Sequence, residues 1–362
     1  MVRSVEGMLL PPSEEYLPIY IPAEILEFLR GAEYICGYVV YSYMYTRRVQ
    51  KTGGSTYIVS LPSAWAGKNG IDRGSEVSIK EDEDRLILSL GKKKKEIVKK
   101  VLISGSVDSE MFLRGLISIY ISQFDTLVIE SSRYLTNELR EQAKKFARLV
   151  MGVETFEESS NRIILQNVLD SESFPVDKAI RRMSTNVELM LEDTVKGIES
   201  SDLDLLESVI ARDDEVDRYH LYIFRETNRK GSAQGPILLF ILSRILERVA
   251  DHAVNAAKTW KDRGAGVDPT ELIKFFNDAR KIFADAVKVL HAPQFGEINE
   301  IISRKSAIID EKSRLITEAK RGELVAVTSV VEDISRISLY STDIAELAMD
   351  RVAFANSEIS IS

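Results

Sequence analysis

From residue 175 to residue 355 the chain is patterned for helices alone, and this stretch constrains the fold more than any other. Apolar residues recur three and four apart in six segments, 176–198, 203–228, 235–261, 269–291, 298–319 and 324–354. Helix breakers punctuate the region at Gly231-Ser232-Ala233-Gln234-Gly235-Pro236, at Gly264-Ala265-Gly266, and at Pro293 with Gly296, dividing it into two sets of three. The sets read as copies. Leu246-Glu247-Arg248-Val249-Ala250-Asp251-His252 lines up with Ile334-Ser335-Arg336-Ile337-Ser338-Leu339-Tyr340, and Asn255 falls opposite Asp343. Likewise Asp213-Asp214-Glu215-Val216-Asp217 lines up with Ser306-Ala307-Ile308-Ile309-Asp310. Such a repeat predicts a pseudo-symmetric pair of three-helix bundles.

Within the first copy, Asp213 with Asp217 and Glu247 with Asp251 stand four residues apart, so each pair puts two carboxylates on one helix face. Acidic pairs at this spacing are also common on solvated faces. Here Glu247 and Asp251 follow Ile237-Leu238-Leu239-Phe240-Ile241-Leu242, an apolar lead-in that predicts a central helix with little solvated face to spare. Acids projecting inward from facing helices hold a cation in carboxylate-bridged bundles, and an all-oxygen donor set suits hard ions such as iron(II), manganese, magnesium or calcium. In the second copy Ser335 and Leu339 stand in for Glu247 and Asp251, and Ser306 for Asp213, leaving Asp310 alone. At most the first bundle is expected to bind metal. Glu188 and Glu192 form another same-face pair open to joining the site. His252 lies a quarter-turn off the shared face and is read as a packing or surface residue; His220 and His291 have no companion pattern.

The remainder divides into a front and a middle. Residues 45–100 hold 13 Lys/Arg against 7 Asp/Glu, a net of +6 in a chain whose total is −8, so a basic module precedes an acidic body and points to an anionic partner near the front. Gly53-Gly54 marks a hairpin turn before the strand 55–61; Pro62 opens a short helix at Ser63-Ala64-Trp65-Ala66; 76–79 and 85–90 form a second hairpin. Lys92-Lys93-Lys94-Lys95 reads as a linker with electrostatic support for a phosphate backbone. Residues 97–170 alternate strand and helix, at 98–104, 109–124, 126–131, 136–150, 153–157 and 162–166, which predicts a small α/β sandwich; it carries neither a glycine-rich phosphate loop nor a nucleophile motif. The one cysteine, Cys36, excludes a disulfide framework within the chain. Residues 1–43 show no signal peptide and no span long enough for a bilayer; they are read as a doubtful N-terminal extension, with Met44 as the expected start.

Two resemblances add to this. The stretch RRVQKTGGSTYIVSLPSAWAGKNGIDRGSEVSI resembles the swapped-hairpin DNA-binding domain of the AbrB/SpoVT/MazE type, over about 45–91. That resemblance implies a homodimer of interleaved hairpins in which Arg47, Arg48 and Lys51 lie along the first strand and face promoter DNA; the same three residues also serve as edge-strand gatekeepers in modules that only dimerise. Residues 175–355, with the Asp213/Asp217 pair and LERVADHAVN, resemble the PhoU family of phosphate-uptake regulators. The resemblance implies metal bound through (E/D)xxxD motifs, here iron, zinc or a similar divalent or trivalent ion at Asp213, Asp217, Glu247 and Asp251. An AbrB-like domain ahead of a PhoU body resembles the archaeal arrangement of this regulator.

The expected architecture is multidomain α+β: a swapped-hairpin β module, a small α/β sandwich, and an all-α body of two three-helix bundles. The expected function is a non-enzymatic, cytoplasmic regulator of phosphate homeostasis acting on the phosphate ABC transporter or its signalling proteins. The alternative is an AbrB-type transcription factor whose helical body senses a ligand or dimerises. A carboxylate-bridged metal oxidase is disfavoured, because such enzymes carry Glu-x-x-His on the metal helices and His252 follows Glu247 by five.

Overall fold

The structure, a computed structural model, describes residues 45–82, 85–90, 96–169, 174–229 and 234–355. The expectations for residues 1–43, for Met44 as the start and for the lysine run 92–95 lie outside the described residues. The described part falls into two compact units that divide at Lys92/Lys93.

In the first unit, β1 (Gln50–Thr52) pairs antiparallel with β2 (Thr56–Ile58), and Gly53 supplies the left-handed residue of the turn, φ 65°. Helix α1 (Ser63–Lys68) follows Pro62 and ends at Asn69, whose side-chain amide donates to the Trp65 carbonyl at 2.8 Å. A second hairpin joins β3 (Val77–Asp82) to β4 (Arg85–Leu90), in register from Val77 opposite Leu90 to Asp82 opposite Arg85. Among its described residues this unit buries none: Tyr57 is 67% exposed, Ile79 63% and Leu86 64%. Among the described residues its apolar side chains reach at most intermediate burial.

The second unit begins with a four-stranded sheet. Strands β5 (Val98–Ile103), β6 (Thr126–Ser131), β7 (Val153–Glu158) and β8 (Arg162–Asn167) lie in the order β5-β6-β8-β7, with β5 and β6 parallel and the other pairs antiparallel. The parallel pair requires a crossover, which α2 (Ser109–Ile121) supplies, and α3 (Asn137–Leu149) leads into the final hairpin. Each helix starts at a side-chain cap: Asp108 accepts from Met111 N at 2.8 Å, and Thr136 from Leu139 N at 3.3 Å. Phe112, Leu116, Tyr120, Leu139, Ala143 and Phe146 then pack with Ile103, Leu127, Ile129, Ile163 and Leu165 in one core.

The helical body is α4 (Val176–Ser200), α5 (Leu203–Ala211), α6 (Asp213–Arg229) and α7 (Gln234–Arg263), followed by α8 (Thr270–His291), α9 (Phe295–Ser303), α10 (Lys305–Glu318) and α11 (Leu324–Ala355). Two of the six expected helices are thus each broken in two, at Arg212 and Arg304. Neither break carries glycine or proline. Both arginines stay in the α region (φ −75°, ψ −11° and φ −73°, ψ −10°), and each guanidinium reaches an aspartate 19 residues earlier on the first helix of its repeat: Arg212 to Asp193 at 2.5 Å, Arg304 to Asp285 at 3.2 Å. The recurrence of this bracket fixes an offset of 92 residues between α4–α6 and α8–α10. Buried Val216 and Ile223 then match buried Ile308 and Leu315. The one-residue-longer register expected from the sequence is therefore corrected: Lys305 takes the place of Asp213, Ile309 that of Asp217, and Asp310 is exposed. Between α7 and α11 the offset is 88, as expected.

The α/β layer and the helical body belong to the same unit and meet on α6. The Arg225 guanidinium lies 4.9 Å from the Tyr120 ring centroid and donates to Asn167 Oδ1 at 3.2 Å, while Asn228 Nδ2 donates to the Ile121 carbonyl at 3.2 Å. Gly152 sits under this joint with φ 73°; a Cβ there would meet Leu169 Cβ at 2.3 Å and Asn167 Oδ1 at 3.2 Å. Gly152→Ala is expected to destabilise the protein by about 2 kcal/mol through backbone strain and clash, seen as a lowered midpoint in urea. An unchanged midpoint would contradict this account of the joint.

Candidate functional site

Helix α6 starts directly after the Arg212 break with Asp213, Asp214 and Glu215 in its first turn, where the helix dipole favours negative charge. It runs along α7, and the pairs Asp213/Asp217 and Glu247/Asp251 are half-buried on these neighbouring helices. Their electrostatics show that the four groups share one neighbourhood. Burial first, then the Asp251 carboxylate, raise Asp213 above the usual carboxylate range. Burial, Asp213 and Asp251 push Asp217 up to about 6, and burial with Asp251 pushes Glu247 up to about 7. Asp251 is the one carboxylate that acts on all three others.

The available cations only partly answer this charge. Arg244 Nη1 reaches Glu247 Oε1 at 2.9 Å, and Lys258 acts on Asp213. Asp213 Oδ1 and Glu247 Oε2 are buried without a hydrogen-bond partner. Buried carboxylate oxygens without donors are costly, and a cation between α6 and α7 would satisfy both. Among the described residues no three His, Cys, Asp or Glu side chains already stand together as a closed ligand set. By donor type and by their two orphaned oxygens these residues are compatible with a cation, while their arrangement in this structure brings no three of them together.

Several other expectations can be placed. Glu188 is exposed and Glu192 is held by Lys196 at 2.6 Å, with Arg280 at 3.6 Å, so this pair does not join the cluster. His252 is a packing residue between the repeats: its Nδ1 lies 2.8 Å from Asp333 Oδ1 on α11 and its ring stacks 5.7 Å from Tyr340, whose hydroxyl accepts from Arg248 at 2.9 Å. His220, one turn beyond Asp217, was not distinguished by sequence. It is buried, stacks 5.9 Å from Phe240, and its Nδ1 lies 3.1 Å from Ser243 Oγ. The Ser243 hydroxyl also lies 2.8 Å from the Phe240 carbonyl. Burial and Arg244 push His220 down to about 4, so it remains neutral at neutral pH.

In the first unit, Arg47 and Arg48 precede β1 rather than lying along it; Lys51 alone is within the strand. All three are exposed. Arg47 donates to the Thr46 carbonyl at 3.1 Å and lies 5.5 Å from the Tyr45 ring centroid, and Lys51 lies 5.5 Å from that of Tyr57. Cation and ring are presented together, a pairing that suits phosphate and base contacts.

Comparison with known proteins can now be set against this geometry. Residues 180–259 match the family model of the PhoU domain, and residues 50–98 match that of the antidote-toxin recognition MazE, bacterial antitoxin. A stretch similar to the PhoU domain thus follows one similar to MazE, and the first of these spans all four clustered carboxylates. Among solved structures, PhoU from Pseudomonas aeruginosa is 18% identical, with 49% of this chain and 96% of that chain covered at a TM-score of 0.46. The phosphate transport system regulatory protein PhoU from Streptococcus pneumoniae is 15% identical, with 52% and 96% covered at 0.45. No curated protein matches the chain.

The raised carboxyls give a pH dependence whose sign is fixed. Unfolded Asp and Glu titrate near 4, whereas folded Asp217 and Glu247 hold their protons to about 6 and 7. The folded state therefore binds more protons through that window, and metal-free stability is present below about pH 4 and falls as pH rises to 7. Thermal melts of metal-free protein from pH 5 to 8 should show this decline, and Asp217→Asn should flatten it. Parallel slopes for parent and variant would contradict the assignment.

Proposed function

We propose that the chain is a non-enzymatic regulator of phosphate uptake, acting from the cytoplasm on a phosphate transporter or its signalling proteins. The observation that carries this reading is the coincidence of the PhoU domain match at 180–259 with the buried, under-satisfied acid cluster on α6 and α7. Among the described residues no helix is long and apolar enough to cross a membrane, so a membrane transporter would be met as a partner. Asp213, Asp217, Glu247 and Asp251 would hold a divalent or trivalent cation, iron, zinc or similar. When bound, it supplies charge neutralisation between the two helices. The protein residues do the rest: Arg244 keeps hold of Glu247, and Arg212 fixes where α6 begins.

Loss of the gene in the source organism is expected to release uptake of labelled phosphate during phosphate-replete growth; unchanged uptake overturns the reading. Asp251→Ala, which removes the group common to the other three, is expected to abolish stoichiometric metal in purified protein. Equal metal content in variant and parent would refute the cation assignment.

The front unit supports a second, compatible reading as an AbrB-type DNA-binding module. It matches the MazE model over 50–98, displays Arg47, Arg48 and Lys51, and buries none of its described residues within one chain, so a homodimer would supply the interior that it lacks. Binding to promoter DNA of the phosphate-transport operon should weaken steeply with salt, and Arg47→Ala/Arg48→Ala should remove it. Equal binding to random DNA would make the unit a dimerisation device.

A further inference from the structure

The two repeats use the same pair of positions with the charges exchanged. With offsets of 92 for α10 and 88 for α11, Asp213 corresponds to Lys305 and Lys258 to Glu346. In the first repeat an acid at the start of α6 faces a lysine on α7, close enough for Lys258 to act on the Asp213 carboxyl. In the second, a lysine at the start of α10 faces an acid on α11: Lys305 Nζ lies 2.7 Å from Glu346 Oε1 and 3.6 Å from Asp343 Oδ1. The remaining cluster positions change with it. Ile309 replaces Asp217, Ser335 replaces Glu247 and is buried, and Leu339 replaces Asp251.

We infer that Lys305 is the built-in cation of the second repeat: its ammonium, held by Glu346 and Asp343, does for α10 and α11 what a bound metal ion would do for α6 and α7. The second repeat therefore needs no metal, and the chain answers to cations through one repeat alone. Three features support this beyond the pairing itself. The hydrogen bond to Glu346 raises the Lys305 ammonium above the ordinary lysine range, so the partner favours the charged form. Asp343 sits where the first repeat has neutral Asn255, so an acid has been gained where the lysine needs one. And the two orphaned buried carboxylate oxygens of the first cluster have no counterpart among the described residues of the second, where Ser335, Ile309 and Leu339 leave no carboxylate to satisfy.

The inference leans on the cation reading of the first repeat for its comparison, and its test is arranged to stand apart from it. All variants are made in full-length protein already carrying Asp213→Asn and Glu247→Gln, which disables the first cluster. In that background Lys305→Met, which keeps the stem and removes the charge, is expected to lower Tm by about 3 °C, with or without manganese(II). Lys305→Glu, which places three acids together, is expected to bind one more manganese(II) per chain than the background and to regain its Tm when the ion is added. A Lys305→Met variant as stable as the background, or a Lys305→Glu variant that gains neither manganese nor stability from it, overturns the inference. A parent protein that binds no manganese would instead sink the cation reading of the first repeat, leaving these outcomes unaffected.

Discussion

The contact on which the body depends is that between α7 and α11, the last and longest helix of each repeat. Both bury small residues in their middles, Ala250, Ala253 and Ala257 on α7, and Ser335, Ser338 and Ser341 on α11. Small side chains let two helix backbones approach closely. Two of the buried serines remain compatible with an apolar interior because their hydroxyls bond back within the helix, Ser338 to the Ile334 carbonyl at 3.0 Å and Ser341 to that of Ile337 at 2.7 Å. Once α7 and α11 are joined, and pinned at the edge by His252–Asp333 and Arg248–Tyr340, each has a second face turned to its own repeat. Glu247 and Asp251 are consequently held half-buried next to α6, where a solvated helix would have turned them outward.

That arrangement also explains how two copies of one plan diverged. The bracket of Arg212 with Asp193 and of Arg304 with Asp285 fixes where α6 and α10 begin, whatever the first helical residue carries. The residue after the bracket is then free to be an acid in one copy and a base in the other. The scaffold tolerates either sign because each position faces a partner on the central helix that has changed with it.

Much of this was legible in sequence, for identifiable reasons. Strong periodicity and Gly/Pro punctuation placed the long helices, and i,i+4 spacing paired the carboxylates on faces that are half-buried on α6 and α7. The breaks at Arg212 and Arg304 were not legible, because both residues keep helical backbone angles and the cause is a tertiary ion pair. The register between α6 and α10 slipped by one because matching Asp217 to Asp310 aligns like with like; buried Val216, Ile223, Ile308 and Leu315 give the register that packing obeys. His220 was invisible as a lone histidine, since what distinguishes it is contact with Ser243 and Phe240 on another helix. Arg47 and Arg48 fell outside β1 because strand ends are the least determined by local pattern.

Helix α6 belongs to two sites at once. Its first residues carry the acids, and its last ones, Arg225 and Asn228, hold the α/β layer. From Asp213 to Asn228 the helix rises about 22 Å, and a straight helix of that length is a stiff rod. A tilt of about 10° at the acid end would carry the far end roughly 4 Å, beyond the tolerance of any hydrogen bond. A rearrangement among the carboxylates therefore stays local only while side chains absorb it; one that tilts the axis of α6 is felt by the whole α/β layer.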